Sequence, residues 1–322
     1  MTSAIAQVYL ASFLEPLAPF LARPGLTDLY INRPGEVWTE CLGGAIARHE
    51  VPDLNQARLL RLARQIAANA AQGINREHPL LAASLPDGSR VQVVLPPATR
   101  GSVAIAIRKH AVQDLSLEAY RGAGKSLPLR SHEPPLNLET SDAVDQLRAA
   151  VRTRRNILIA GGTASGKTTL LNALLGEIPL QERLILIEDT PELSLCHPNA
   201  VGLLAARGRM GEADVSAEDL LIASLRMRPD RIILGEIRGV EVLTFLRAIN
   251  TGHPGSISTI HADSAERAID QLALLVLQAG SRLSWDDVTR YVARSIDVFV
   301  EIARGSDRVR LRVVANDKAG SG

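Results

Sequence analysis

Hydrophobic and polar positions follow a strand-like pattern over much of the first third of the chain, with one helical stretch between the strands. Apolar residues recur at helical spacing over 55–71 and predict a helix there. Alternating or β-branched runs predict strands at 27–32 (TDLYIN), 36–41 (EVWTEC), 90–97 (RVQVVLPP) and 102–109 (SVAIAIRK). An Arg-Pro-Gly turn separates the first two strands, so we expect a hairpin and a mixed α and β fold.

Beyond residue 141 the pattern changes to short apolar strands that alternate with helices. The expected strands are 156–160 (NILIA), 183–189 (RLILIED), 231–236 (RIILGE) and 256–262 (SISTIHA). The expected helices lie at about 141–154, 166–175, 218–227, 240–250, 264–279 and 285–295, and VFVEIA and RVRLRVV follow as a closing hairpin. Such an alternation is typical of an α/β fold with a mainly parallel sheet that is covered on both faces.

A glycine- and proline-rich stretch separates these two patterns, and the length of 322 residues favours two domains. We expect a smaller α+β N-terminal domain at 1–120, a linker at 121–140, an α/β domain at 141–315 and a disordered tail at 316–322. The Gly-Lys-Ser triplet at 124–126 matches half of a phosphate-binding loop but has no preceding strand, and we interpret it as a false match to that motif. The apolar N-terminus predicts an amphipathic helix that packs on the body or touches a membrane surface.

Composition disfavours several classes of function. Lys and Arg number 36 and Asp and Glu 35, so the formal net charge of +1 gives no strong sign of direct DNA binding. Aromatic residues make up 3% of the chain, which disfavours stacking platforms for single strands. Cys41 and Cys196 have no metal or redox spacing, and no apolar run approaches the roughly 18 residues of a spanning helix. We therefore expect a cytoplasmic protein.

The strongest chemical signal is the octapeptide GGTASGKT, which fits the phosphate-loop pattern G-x-x-x-x-G-K-[ST] between a predicted strand and a predicted helix. Glycines let backbone N–H groups surround phosphates, and the helix that follows directs its positive end toward them. In this pattern Lys167 reaches the β and γ oxygens, and the Thr168 hydroxyl binds Mg²⁺. The predicted cofactors are thus ATP and Mg²⁺. The predicted nucleotide-binding residues are Gly161, Gly162, Thr163, Ala164, Ser165, Gly166, Lys167, Thr168 and Thr169.

Polar residues end the strands that follow this loop. Glu188 ends one strand together with Asp189, Glu236 ends the next, and His261 ends another. Ligands bind at the carboxyl ends of strands in such sheets, where a carboxylate can orient the attacking water or hold the water shell of the metal, and a histidine can contact the γ-phosphate. Alone, each of these residues is often a cap, a surface charge or a structural histidine. Three such strand ends beside a phosphate loop favour a joint site.

Arginines are abundant, and their positions alone leave two interpretations open. Several surround the Glu236 strand, where each is either a surface charge or a group that stabilises transition-state charge. Arg90 and Arg108 lie at strand positions of the first domain, where spacing alone indicates solvated charges.

The sequence resembles the hexameric traffic ATPases of type IV secretion and conjugative transfer, the VirB11-type ATPases, over roughly residues 20–300. Three similar segments follow the phosphate loop: LILIEDTPEL (184–193), SLRMRPDRIILGEIRG (224–239) and TGHPGSISTIHADS (251–264). Three more lie in the first domain: INRPGEVWTE (31–40), LPDGSRVQVVLPP (85–97) and IRK (107–109). These N-terminal matches separate the family from the ATPases of type II secretion and pilus retraction, whose frequent four-cysteine metal element is also absent from this sequence.

The resemblance implies a RecA-like ATPase domain after the N-terminal domain, and six protomers in a ring with nucleotide between the two domains of a protomer. It implies that Lys167 and Thr168 bind phosphates and Mg²⁺. Glu236 and Glu188 would activate water and organise the metal through water, and His261 would sense the γ-phosphate.

The same resemblance changes the interpretation of the arginines. Arg90 and Arg108 would reach the nucleotide from the first domain, and Arg226 would be the arginine finger of its cluster. Ala164 stands where the family's loop often has glycine, which should slightly restrict the loop backbone.

The function implied is an ATPase, converting ATP and water to ADP and phosphate, that drives domain closure and thereby substrate translocation and pilus assembly. It would assemble as a homohexamer. Its implied partners are inner-membrane components of the secretion apparatus and protein or nucleoprotein cargo. The implied location is cytoplasmic, in peripheral contact with the inner membrane. The alternatives are a type II secretion or pilus-retraction motor, a DNA translocase, and a nucleotide-gated platform with negligible turnover.

Overall fold

The first domain is built on a six-stranded antiparallel sheet. The structure is a computed structural model that describes residues 10–109, 142–206, 213–304 and 309–315. The strands follow the order β3-β2-β1-β6-β5-β4 in the sheet. They are β1 (Leu26–Ile31), β2 (Glu36–Cys41), β3 (Ile46–Glu50), β4 (Leu80–Ser84), β5 (Arg90–Val94) and β6 (Ala104–Arg108). They are accompanied by a helical turn at Glu15–Leu17 and the helices α1 (Ala18–Leu21) and α2 (Gln56–Asn69).

The predicted hairpin and helix of this domain are present. β1 pairs with β2, and β5 with β6, both antiparallel. α2 begins after Asn55, whose side-chain oxygen accepts a hydrogen bond from the Arg58 N–H and so caps the helix. β3 and β4 have no counterpart in the prediction. They are the two edge strands of the sheet, where partial exposure weakens the hydrophobic alternation that identifies a strand.

The second domain contains a seven-stranded sheet in the order β13-β12-β7-β11-β10-β8-β9. Its strands are β7 (Ile157–Ala160), β8 (Leu184–Glu188), β9 (Ala200–Leu204), β10 (Arg231–Leu234), β11 (Ile257–Ile260), β12 (Val298–Arg304) and β13 (Val309–Ala315). Its helices are α3 (Ala143–Arg152), α4 (Lys167–Leu175), α5 (Ala217–Leu225), α6 (Glu241–Asn250), α7 (Ala265–Gln278) and α8 (Trp285–Ser295). β12 and β13 pair antiparallel and all other neighbours are parallel, which confirms the mainly parallel sheet and the closing hairpin.

Helices cover both faces of the parallel sheet. Ile157 and Ile159 of β7 lie in one buried cluster with Leu171 of α4. Leu158 and Ala160 of the same strand lie in another cluster, which includes the buried residues of α5, α6, α7 and α8. Successive residues of a strand point to opposite faces, so a strand buried on both faces is apolar throughout.

One face of the first sheet packs on the second domain. Tyr30, Ala104 and Ala106 share a buried cluster with Ile185 of β8 and Leu203 of β9. The neighbouring residues on the opposite face, such as Leu29 and Ile105, pack in a separate cluster that includes the apolar side of α2. The first sheet therefore buries both faces, one in its own domain and one between the domains.

A short strand-like pairing also joins the domains at the edge of the second sheet. Residues 98–100, which follow β5, run beside the outermost strand β9. The Leu204 N–H donates to the Ala98 carbonyl at 3.0 Å, and the Arg100 N–H donates to the Gly202 carbonyl at 2.9 Å. This pairing satisfies backbone groups that an edge strand would otherwise leave exposed.

Arg183 is a buried charge at the same interface. Its guanidinium carbon lies 4.0 Å above the centre of the Tyr30 ring, and Nη1 donates to the Asn32 side chain at 2.8 Å and also to the Asn199 side chain. Nε donates to the Met227 carbonyl at 3.0 Å. Burial lowers the pKa of Arg183 to about 10, so the side chain remains charged at neutral pH.

Four predicted features lie outside the described residues. They are the linker at 121–140 with its Gly-Lys-Ser triplet at 124–126, the tail at 316–322 and the first nine residues. The domain limits drawn from them therefore stay predictions. Within the described ranges, no helix has the length and apolar character that crossing a bilayer requires.

Replacing Arg183 with Met should lower the free energy of unfolding by about 3 kcal/mol, because the two asparagines lose a charged donor and Tyr30 loses its cation. Urea denaturation followed by circular dichroism measures this. Arg267→Ala is the matched control: Arg267 pairs with Asp263 at 2.9 Å, but both side chains are more than 70% exposed, so the loss should stay below about 1 kcal/mol. Equal losses in the two variants would contradict the structural role given to Arg183.

Candidate functional site

The phosphate loop connects β7 to α4 at the carboxyl end of the parallel sheet. Gly166 precedes α4 with a φ of +100°, a conformation that glycine adopts without strain. The first turn of α4 contains Lys167 and Thr168, and its unpaired backbone N–H groups face the loop. Local sequence thus creates a concave surface of N–H donors at the positive end of a helix, which suits phosphate oxygens.

Lys167 is buried inside this loop. Its Nζ donates to the carbonyls of Gly161 and Gly162, both at 2.9 Å, and lies 3.4 Å from Nδ1 of His261. Burial lowers the pKa of Lys167, while the nearby Glu236 carboxylate acts in the opposite direction. An ammonium held by two carbonyls and partly desolvated is well placed to exchange them for phosphate oxygens.

Two loop positions are restricted in ways that explain the sequence. A Cβ on Gly161 would lie 2.6 Å from the Ile302 carbonyl of β12 and 2.5 Å from the Ser165 hydroxyl, so the loop can pass there only without a side chain. Ala164, where glycine is frequent in the resembling family, has a φ of +57°. The left-handed backbone at this position is the physical reason why glycine suits it and alanine is mildly strained.

The strand-end residues Glu236 and His261 contact each other. Nε2 of His261 lies 2.9 Å from Oε1 of Glu236. Because Lys167 can only donate, Nδ1 of His261 is the acceptor of that contact. The guanidinium of Arg238 also contacts the Glu236 carboxylate and lies 3.5 Å from the carboxylate of Asp189. A chain of alternating charge therefore runs from the loop lysine along the strand ends.

Glu188 is more enclosed than Glu236. Its Oε1 accepts hydrogen bonds from the N–H groups of Glu192 at 2.9 Å and Leu193 at 2.8 Å. Its Oε2 contacts the guanidinium of Arg100 from the first domain. One carboxylate oxygen is thus hydrogen-bonded to the loop after β8 and the other is ion-paired with Arg100, while Glu188 also faces the cavity.

These groups surround one cavity of about 520 Å³, within the range of small-molecule and cofactor sites. The predicted residues that line it are Thr163, Ala164, Ser165, Gly166, Lys167, Thr168, Thr169, Glu188, Glu236 and His261. Gly161 and Gly162 are held beside it through their carbonyls on Lys167. Asp189, Thr190, Glu192 and Arg238 add polar side chains to the lining, and Leu193 adds an apolar one.

The cavity fits a triphosphate with one divalent cation. The buried hydroxyl of Ser165 has no hydrogen-bond partner among the described residues, which leaves a polar group free in the phosphate cradle. Thr168 lines the cavity together with Glu236 and Asp189. In the described ranges no group of three or more His, Cys, Asp and Glu side chains is arranged to hold a metal alone.

Besides Gly161 and Gly162, three predicted site residues do not line this cavity: Arg90, Arg108 and Arg226. Arg226 caps the end of α5 with an exposed side chain. Arg90 is exposed in β5, and Arg108 in β6 is 60% exposed and lies 4.0 Å from Asp28. The structure places the first domain beside β9, and these two arginines are absent from the cavity lining of their own chain.

Sequence reasoning missed Arg100 and did not single out Arg238. Arg238 follows Glu236 by two residues, a local signal that was available in the sequence. Arg100 has no such signal, because it reaches Glu188 only through the pairing of residues 98–100 with β9, a strand that was itself not predicted.

The chain is similar to proteins of type IV secretion systems. The family described as type II/IV secretion system protein matches residues 12–304. The type IV secretion system protein VirB11 of Bartonella quintana is 37% identical over 327 residues, covering 94% of this chain and 92% of that protein. PtlH of Bordetella pertussis is 42% identical over 318 residues, covering 94% and 92%. The crystal structure of the VirB11 ATPase from the Brucella suis type IV secretion system, in complex with sulphate, matches with a TM-score of 0.89 at 38% identity, covering 97% of this chain and 96% of that chain.

Replacing Gly161 with Ala should weaken binding of a fluorescent ATP analogue at least tenfold, because the new methyl group forces the loop away from β12 and distorts the cradle around Lys167. Equilibrium fluorescence titration measures this. Gly162→Ala is the matched comparison, since a Cβ there meets nothing within 4 Å and φ is not positive. Its loss should be clearly smaller, and an equal loss would show that the contact with Ile302 does not shape the cradle.

Proposed function

The chain belongs to the family of type II/IV secretion system proteins, and we propose on this premise that it is an ATPase that energises a type IV secretion or conjugative transfer apparatus. The observation that carries the proposal is the cavity in which the phosphate loop faces Glu236 and His261. A loop that binds phosphates beside a carboxylate that can orient water is the arrangement that hydrolysis of a nucleotide needs.

Binding of the triphosphate would begin at the loop. The N–H groups of residues 162–168 would surround the phosphates, and Lys167 would exchange its two carbonyl partners for β and γ oxygens. This exchange replaces neutral acceptors with charged ones, so it strengthens the contacts of a lysine that is already partly desolvated. Mg²⁺ would be held by the Thr168 hydroxyl and by phosphate oxygens, and it would neutralise charge that develops on the β and γ phosphates.

Hydrolysis would depend on Glu236. Its carboxylate lies at the end of β10, and it would accept a hydrogen bond from the attacking water and orient that water toward the γ-phosphorus. The His261 ring lies 2.9 Å from the Glu236 carboxylate and would help to position it, and its place beside Lys167 would let it respond to the γ-phosphate. Arg238, which contacts Glu236 and Asp189, would offset the negative charge that the triphosphate adds. The bond from the γ-phosphorus to the β–γ bridging oxygen breaks, and ADP leaves with that oxygen.

Membership of the same family also supports a proposal about assembly. We propose that six protomers assemble and that Arg90 and Arg108 act on the nucleotide of a neighbouring protomer, since neither lines the cavity of its own chain and both are exposed. Exposed arginines such as these remain available to a second copy. This arrangement would make each active site depend on two chains and would couple hydrolysis to movement between them.

The cargo and the membrane contact belong to the same proposal. VirB11 of Bartonella quintana and PtlH of Bordetella pertussis are type IV secretion proteins that are similar over 94% of this chain. This similarity favours the translocation of protein or nucleoprotein cargo over type II secretion or pilus retraction. We propose a cytoplasmic protein that docks on inner-membrane components of the apparatus.

The variants Glu236→Gln and Lys167→Ala should separate hydrolysis from binding. Glu236→Gln keeps the shape of the side chain but weakens its ability to orient water, so kcat should fall at least about 100-fold while the affinity for an ATP analogue changes less than threefold. Lys167→Ala should abolish both binding and Mg²⁺-dependent phosphate release. Undiminished phosphate release in Lys167→Ala would refute the proposed role of the loop.

A ring predicts a mass near six times that of the 34.6 kDa chain in the presence of ATP and Mg²⁺. Light scattering coupled to size-exclusion chromatography, with and without nucleotide, measures this mass directly. A mass that remains that of a single chain under both conditions, at concentrations well above those of the activity assay, would contradict the assembly.

A further inference from the structure

Arg100 is a charged residue of the first domain that reaches into the wall of the cavity of the second. Its backbone N–H is fixed by the Gly202 carbonyl at 2.9 Å. Its guanidinium contacts the Glu188 carboxylate, and Nη1 donates to the Leu193 carbonyl at 2.7 Å. The side chains of Arg100 and Glu188 are 15% and 4% exposed, so the contact is shielded from water and is stronger than a surface ion pair.

This ion pair is part of a network of contacts that also includes three hydrogen bonds. Glu188 accepts from the N–H groups of Glu192 and Leu193 on one oxygen and contacts Arg100 through the other. Arg100 returns to the same loop through the Leu193 carbonyl. The end of β8, the loop of residues 189–193 and the first domain are therefore tied together at one point, and that loop forms part of the cavity wall.

The sequence of β9 provides the path for this side chain. A Cβ on Gly202 would lie 2.6 Å from Cδ of Arg100. The arginine stem crosses β9 at the one position of that strand that has no side chain. The backbone there does not have a positive φ, so the close approach of Arg100 is the local reason for glycine.

From these contacts we infer that Arg100 is a positioning residue for ATP hydrolysis, which acts from the first domain by fixing the Glu188 carboxylate and the 189–193 wall. The inference rests on the proposed ATPase function. Without Arg100, a buried carboxylate would lose its cation and the loop would lose one of its carbonyl contacts. Displacement of an active-site wall by about 1 Å is enough to cost about 100-fold in rate.

The inference separates Arg100 from the rest of the domain interface. Arg228 also joins the two domains, through a 2.8 Å contact with Glu40 of β2, but it does not line the cavity. Removing Arg228 weakens the docking of the first domain without touching Glu188. A comparison of the two arginines therefore distinguishes positioning of the carboxylate from docking in general.

The test uses the full-length protein with steady-state phosphate release and titration of a fluorescent ATP analogue. Arg100→Ala should lower kcat by 10- to 100-fold with KM changed less than threefold, and Arg100→Lys should recover part of the loss because it retains the cation. Gly202→Ala, which displaces the arginine and leaves every charge in place, should resemble Arg100→Ala. Arg228→Ala should leave kcat within twofold of the wild type.

The Glu188→Gln background supplies a second criterion. If Arg100 acts mainly through Glu188, adding Arg100→Ala to Glu188→Gln should lower kcat by clearly less than Arg100→Ala does alone, because only the contact with the Leu193 carbonyl is then left to lose. Independent effects would multiply. An unchanged kcat in Arg100→Ala, multiplied losses in the double variant, or an equal loss in Arg228→Ala would each overturn the inference.

Hydrogen–deuterium exchange tests the positioning without turnover. The backbone N–H groups of Glu192 and Leu193 should exchange at least tenfold faster in Arg100→Ala than in the wild type or in Arg228→Ala, since Glu188 no longer holds them. If the wild type releases no phosphate but this exchange difference is present, the proposed ATPase function fails and the positioning contact stands. If exchange at these two residues is unchanged, the positioning role is wrong whatever the activity.

Discussion

The parallel order of β7, β11, β10 and β8 is the constraint on which the site depends. Parallel strands end at the same edge of a sheet, so the loop after β7 meets the residues that end the other three strands. The order is not that of the sequence, and it explains the contacts. His261, after β11, lies beside Lys167 of the loop, Glu236 comes next after β10, and Glu188 is farthest, after β8. The order of the charged side chains across the cavity therefore follows the order of the strands in the sheet.

This arrangement leaves the charges of the site balanced against one another. Lys167 has two carbonyls and a histidine nitrogen, Glu236 has His261 and Arg238, and Glu188 has Arg100. A triphosphate brings several negative charges into a region where burial already disfavours an uncompensated ion. Its entry must therefore redistribute partners that the protein now holds. Because these partners come from different strands and from both domains, the proposed binding at the loop would reach the domain interface.

The local features of this structure can be predicted from the sequence. The strands β7, β8, β10 and β11 are short, apolar and flanked by helices, and the phosphate loop is a contiguous motif. Convergence of Glu188, Glu236 and His261 follows once the sheet is known to be parallel. The edge strands β3, β4 and β9 were not predicted, because strand identity at an edge depends on its neighbours more than on its own alternation. Arg100 was missed with β9, since a contact between residues 88 positions apart leaves no local pattern. The placement of Arg90 and Arg108 depends on how whole domains associate, which spacing along one chain does not encode.

The pairing of residues 98–100 with β9 makes the domain contact specific in register. Successive side chains of an extended segment point to opposite sides, so a slip of one residue would turn Arg100 away from Glu188 and place Thr99 in its position. Gly202 reinforces this, because the arginine stem fits only where β9 has no Cβ. The buried contacts of Arg183 with Tyr30 and with Asn199, the residue before β9, also set the position of the first domain. An interface that combines a fixed strand register with buried charges has one well-satisfied arrangement, and departure from it leaves a buried charge unpaired. Such an interface favours one docked arrangement over gradual sliding, which is what the proposed coupling of hydrolysis to domain movement would require.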